Sequence, residues 1–163
     1  MKRINLFVYG SLREGFFNYN KYLANRVIEK KEAKVENMNL YHMPYKGYPA
    51  ITVGKDTVRG EIMVLREGCY EETMKAMDEM EGFIGDGNPD NEYHKVILEV
   101  EHLHTAEKEK CFVYFYNKDK DLLFDSSAIY IPHGDWKEHM ISGNGQKELT
   151  YDENNIEAAV ALN

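Results

Sequence analysis

Apolar residues in this chain recur mostly with a period of two. Val58, Gly60, Ile62 and Val64 share one face of the stretch Thr57 to Leu65, and Val96, Leu98 and Val100 oppose Ile97 and Glu99 within Tyr93 to His104. Successive side chains of a strand point to opposite faces, so this alternation predicts half-buried strands. Ile4 to Tyr9 and Cys111 to Tyr116 are shorter, denser runs of β-branched and aromatic residues and predict further strands. Val27 to Pro44 alternates imperfectly, with Lys30, Lys31, Glu32, Lys34 and Glu36 around Val27, Ile28, Ala33 and Val35. That suits a long, bent, partly exposed strand. Ala50 to Val53 adds a short strand, separated from Thr57 by a tight turn at Gly54-Lys55-Asp56. Gly60 on an apolar face indicates that something packs close to its backbone. The stretches 93–104 and 111–116, split by the charged Thr105 to Lys110, predict a hairpin. Strands outnumber helices.

One stretch follows the helical period instead. At 100° per residue, Tyr70, Thr73, Met74, Ala76, Met77 and Met80 share an apolar arc, while Glu71, Glu72, Lys75, Asp78 and Glu79 fill the other. Glu81 falls inside the apolar arc, four residues after Met77 and seven after Met74. Partial burial, the negative end of the helix dipole and the nearby Asp78 and Glu79 would all disfavour its ionised form. A carboxyl group so raised suits proton transfer near neutral pH. The competing reading is a last turn that frays before Gly82 and swings Glu81 into water. Periodicity alone leaves both open.

Between these elements, Gly10 to Gly15 forms a loop leaving the first strand. Such a glycine-bounded turn either aims backbone N–H groups at an anionic ligand group or simply joins a strand to a helix. Asn18 to Asn25 predicts a short helix with Tyr22 and Leu23 inward and Asn18 or Asn20 as its cap. Phe83 to Glu92 is rich in turn formers, and Asp119 to Ile131 holds a turn and a short extended piece. Gly134-Asp135-Trp136 is a turn before a short helix to about Ile141, with Trp136 anchoring the core. Residues 1–142 are expected to form one domain and 143–163 a weakly ordered tail with a marginal helix at Ile156 to Leu162.

Composition narrows the function. A formal net charge of -8 over 163 residues argues against nucleic acid and anionic membranes as partners and favours a small molecule. Cys69 and Cys111 form neither a disulfide framework nor a metal motif. The apolar run after Met1-Lys2-Arg3 ends at Gly10, too short for a secretory signal, and no segment approaches transmembrane length, so a cytoplasmic location is expected. His102 and His104 would share one side of a strand, but no third ligand sits at a telling distance, and a solvated pair is expected rather than a metal site. On alternation, Glu61 faces away from Val58, Gly60, Ile62 and Val64, towards the surface.

An ordered set of short motifs carries a resemblance. Val8-Tyr9-Gly10-Ser11-Leu12-Arg13, then Asn18 and Leu23, Tyr48-Pro49-Ala50, Val58-Arg59-Gly60-Glu61, Met77-Asp78-Glu79-Met80-Glu81-Gly82, Tyr93, Val113-Tyr114 and Gly134-Asp135-Trp136 resemble the γ-glutamylcyclotransferase-like family, which includes the AIG2-like proteins. The match keeps its order across about residues 4 to 136. His133 departs from it, because that family more often has Ser before Gly-Asp-Trp. The resemblance implies a mixed α/β (α+β) fold: a small closed or nearly closed β-barrel with flanking short helices. It also implies a cavity in which Glu81 is the catalytic acid/base and Tyr9, Gly10, Ser11 and Leu12 bind the substrate. The implied reaction is attack by the α-amine of a γ-glutamyl group on its own γ-carbonyl, closing 5-oxoproline and releasing an amine or amino acid without metal or cofactor. The alternative is a binding module that keeps barrel and cavity without turnover. Glu81 within an apolar face favours the enzyme. Asp78 and Glu79 are then tuning or solvated charges.

Overall fold

The computed structural model of the protein describes residues 3–142. Strands β1 (Asn5–Val8), β2 (Val27–Met43), β3 (Tyr48–Leu65), β4 (Tyr93–His102) and β5 (Lys108–Tyr116) lie in the order β3-β1-β5-β4-β2, and β2 pairs back onto β3. The ring is a closed five-stranded barrel. β1 runs parallel to β5 and antiparallel to β3, and the remaining neighbours are antiparallel. Closure leaves none of these five strands as a free edge of the ring. β6 (Ile129–Ile131) attaches outside the ring, against Leu40 to His42 of β2.

The alternation of β1 divides the core in two. Phe7 joins Ala33, Val35, Val58, Ile62, Val100, Cys111 and Val113, drawn from all five barrel strands, and this cluster fills the interior. Leu6 and Val8 join Met63 and Leu65 on the other face, where Tyr70, Met74 and Met77 of helix α1 (Tyr70–Met80) cover them. The apolar arc of α1 thus meets the barrel wall as its spacing predicts. Each such buried side chain contributes about 1.5–3 kcal/mol relative to exposure.

Three local expectations change. Gly54-Lys55-Asp56 does not end a strand: β3 runs on, with Glu36 paired to Thr57 and Met38 to Val53, so these three residues bulge opposite Asn37 alone. Asn37 takes φ 62 there, and the Oδ1 of Asn39 accepts the Lys55 N–H at 3.1 Å. Strand β5 begins at Lys108 rather than Cys111, because Glu101 faces Lys108 and Glu99 faces Lys110 across the hairpin. Residues Tyr19–Leu23 form a single π-helical turn, and Asn18 donates to Ser11 Oγ at 2.8 Å instead of capping it.

Two short helices complete the fold, α2 (Phe124–Ser127) and α3 (Trp136–Ile141). Trp136 is fully buried in the barrel and donates its Nε1–H to His42 Nδ1 at 3.1 Å. Gly134 has φ +75, and a Cβ there would stand 1.9 Å from the Thr57 carbonyl oxygen, so only glycine lets this loop lie against β3. Among the described residues no helix is long and apolar enough to cross a membrane. The expected tail at 143–163 lies outside the described residues.

Candidate active site

The C-terminus of α1 is pinned. Gly82, at φ +66, donates to Glu79 O at 3.2 Å and Phe83 donates to Asp78 O at 2.9 Å, the paired bonds of a Schellman stop. Glu81 donates its own N–H to Met77 O at 2.9 Å and accepts the Tyr93 N–H at 3.2 Å. Of the two readings open at the sequence level, the frayed turn is therefore not what forms. Glu81 is held on both sides of its backbone, with its side chain on the Met77 arc.

That arc opens on a cavity. Tyr9, Gly10, Ser11, Leu12 and Glu81, the first and last of them 72 positions apart in sequence, line it together with Tyr48, Pro49, Tyr93 and Tyr114. Glu81 is half-buried as a residue, while its carboxyl is surrounded by protein. Burial pushes that carboxyl from the ordinary 4.5 up to about 8, and the negative charge of Glu92 adds to the effect. The acid that acts on Glu81 is thus Glu92, across the helix stop, rather than Asp78 or Glu79. Asp78, partly exposed, is held by two partners: it accepts the Tyr114 hydroxyl at 2.6 Å and pairs with Lys95 at 3.0 Å.

Each of the four cavity tyrosines donates its hydroxyl away from Glu81. Tyr9 donates to Tyr114 O and Tyr93 to Pro49 O, both at 2.6 Å, and Tyr48 donates to Glu92 Oε2 at 2.5 Å. Tyr114, as above, donates to Asp78. Burial raises all four phenols, so they remain protonated donors. Among the described residues none hydrogen-bonds to the Glu81 carboxyl.

The loop facing Glu81 is fixed by a buried charge cluster. Arg13 places Nε 3.0 Å from Glu61 Oε2 and Nη1 2.9 Å from Asp135 Oδ1. Glu61 also accepts the Glu14 N–H at 3.1 Å, and Asp135 accepts the Glu138 N–H at 3.1 Å as the cap of α3. Glu61 is only 8% exposed, which corrects the surface position expected from alternation. β3 passes beneath the Gly10–Gly15 loop, so its outer face is covered too. The turn itself is closed by Arg13 N–H to Gly10 O at 3.0 Å, and Tyr19 donates to Ser11 O at 3.1 Å. His133 uses its Nδ1 to accept the Asp135 N–H at 3.3 Å, so the departure from Ser before Gly-Asp-Trp still supplies an acceptor to that turn.

The remaining candidates lie elsewhere. His102 is buried and pairs with Glu109 at 2.6 Å, whereas His104 is exposed and pairs with Glu32 at 2.8 Å, so the two are not one solvated pair. Glu92 had no local mark in the sequence, since it merely ends a run of turn formers. Its place depends on Tyr48 and on Lys46, whose Nζ lies 2.7 Å from Glu92 Oε2, some 44 to 46 positions away.

Known proteins resemble this chain in sequence and in fold. A curated relative, the γ-L-glutamyl-butirosin B γ-glutamyl cyclotransferase of Niallia circulans, is 29% identical over 137 residues, covering 84% of this chain and 78% of that protein. An AIG2-like protein from Mus musculus shares the fold at TM-score 0.60 and 22% identity, over 82% of this chain and 87% of that one. A protein from Arabidopsis thaliana matches at TM-score 0.59 and 21% identity, over 94% and 82%. The family model described as γ-glutamyl cyclotransferase, AIG2-like, matches residues 6–138, from β1 through the loop, the pinned Glu81 and the Gly-Asp-Trp turn, and the chain belongs to that family.

Proposed function

We propose that this protein is a γ-glutamyl cyclotransferase in which Glu81 carries the proton and Tyr9, Gly10, Ser11 and Leu12 bind the γ-glutamyl end of the substrate. The observation that supports this most is Glu81 itself: a buried carboxyl, raised to about 8, facing the Tyr9–Leu12 stretch across one cavity. A group with that affinity for a proton is matched to deprotonating an α-ammonium at neutral pH, an effect worth roughly 10²- to 10⁴-fold. Family membership and the Niallia circulans relative support the same reaction class.

In this reading the α-ammonium passes one proton to Glu81, and the freed amine attacks the γ-carbonyl carbon, forming the ring N–C bond and shedding its surplus proton to solvent. N–H groups along Gly10 to Leu12 are proposed donors to the resulting oxyanion. Glu81 then delivers the proton to the leaving nitrogen as the original amide C–N bond breaks. The products are 5-oxoproline and a free amine, and no water is consumed. Holding the glutamyl chain folded in the cavity makes the ring closure a proximity-assisted step.

The test is release of 5-oxoproline from a panel of γ-glutamyl amines and peptides by the purified protein. Turnover of at least one compound is expected, with Glu81→Gln losing it by at least about 10²-fold while circular dichroism stays unchanged. Turnover that survives Glu81→Gln removes the mechanism. Binding without turnover across the panel would leave a small-molecule binding module.

A further inference from the structure

The cavity surrounds one carboxylate with four phenol donors and directs all four elsewhere. Facing Glu81 are Tyr9 from the end of β1, Tyr48 from β3, Tyr93 from β4 and Tyr114 from β5, with Glu92 acting through its charge from the loop before β4. Asp78 stands one turn back on α1, neutralised by Lys95 of β4, and Lys46 of the β2–β3 turn lies against Glu92. Asp121 acts on Tyr48 through space and accepts the hydroxyls of Tyr45 and Tyr116. Tyr9 and Tyr93 donate to backbone carbonyls, a use that follows from the barrel alone. Tyr48 and Tyr114 differ. Their hydroxyls are taken by the carboxylates of Glu92 and Asp78, each itself held by a lysine.

We propose that Glu92 and Asp78 are positioning residues for Glu81: each accepts the hydroxyl of a cavity tyrosine, Tyr48 and Tyr114 respectively, and so keeps that donor off the Glu81 carboxylate. The proposal rests on Glu81 as the proton carrier. A phenol donating to an ionised carboxylate stabilises the charged form and weakens it as a base. Glu92 is placed for the task by geometry. Its N–H donates to Gly82 O at 3.0 Å, which ties it to the helix stop beside Glu81, and the Lys46 ammonium holds the oxygen that receives Tyr48. The same carboxylate adds its negative charge to the burial of Glu81. Occupying the donor and repelling the charge act in one direction, towards a stronger base.

The two contributions separate in a set of variants: Glu92→Met, Glu92→Gln, Tyr48→Phe and the two doubles. Glu81 is titrated by its carboxyl ¹³C resonance in the intact protein, which needs no turnover, and the pH profile of kcat/KM for 5-oxoproline release is recorded in parallel. Glu92→Met removes charge and acceptor, and the Glu81 midpoint is expected to fall by about one to two pH units, the size of a hydrogen bond to a charged group. Adding Tyr48→Phe is expected to return part of that fall. Glu92→Gln retains an acceptor, so there Tyr48→Phe is expected to add nothing. A Glu92→Met midpoint that Tyr48→Phe fails to raise would leave only a charge effect and overturn the proposal, as would an unmoved midpoint. If Glu92→Met does not fold, Asp78→Ala with and without Tyr114→Phe poses the same comparison. Moved midpoints without any 5-oxoproline release would overturn the functional reading, while the hold of Glu92 and Asp78 on the two tyrosines and its effect on the Glu81 carboxyl would stand.

Discussion

Arg13 and Glu61 form a buried ion pair, Nε to Oε2 at 3.0 Å, with side-chain exposures of 8% and 11%. Through its second contact, to Asp135, Arg13 joins the Gly10–Gly15 loop to strand β3 and to the cap of α3. The loop that faces Glu81 therefore takes its position from charges on its far side. A pair this deep adds little net stability against an apolar replacement, yet removing one member strands the others.

Arg13→Met leaves Glu61 and Asp135 as buried carboxylates without their cation. The loss is expected to be about 3–5 kcal/mol, read from urea unfolding followed by the fluorescence of Trp136, the single tryptophan. A loss below about 1 kcal/mol, the range of exposed pairs, would mean that the cluster relaxes into water.

Gly60 sets the spacing between β3 and β1. A Cβ there would stand 2.1 Å from the Val8 carbonyl oxygen and 2.7 Å from Phe7 Cζ, so Gly60→Ala must push apart the strand that leads into Tyr9 and Gly10. The expected cost is about 1–3 kcal/mol, together with a raised KM for any γ-glutamyl substrate. Gly68, where an added Cβ meets nothing within 4 Å, is the control, and Gly68→Ala is expected to change stability by less than about 1 kcal/mol. Equal effects at the two positions would refute the packing argument.

Gly60 also illustrates what sequence alone can carry. Its place on an apolar face pointed to a close backbone neighbour, and the period of α1 put Glu81 over the barrel, because both depend on residues a few positions apart. Glu61 was misread for the converse reason: alternation describes the two faces of a strand and is blind to a loop laid across one of them. The bulge at Gly54 depends on Asn37 and Asn39 in the opposite strand, and Glu92 depends on Tyr48 and Lys46. The motif set carried the barrel and the five cavity residues without showing what holds them. Asp78 is the intermediate case: the helical period places it off the apolar arc, but its partners Tyr114 and Lys95 come from β5 and β4 and leave no trace in the sequence of α1.

The raised carboxyl of Glu81 has a signature in stability as well as in rate. Folded, it titrates at about 8 against an ordinary 4.5. Below 4.5 both folded and unfolded chains hold the proton, and Glu81 then exerts no penalty. Between the two values the unfolded chain has released its proton while the folded chain retains it, so stability falls as pH rises, and the loss levels off once the folded group also ionises above about 8. Glu81→Gln cannot ionise and escapes this slope. The variant is therefore expected to gain on the parent protein by a few kcal/mol between pH 4.5 and 8.5, with other titrating groups cancelling in the difference. Urea unfolding at pH 4.5, 6.5 and 8.5 reads it directly. A difference that stays flat across this range would place the Glu81 carboxyl in water and remove the physical basis for its proposed role as a base.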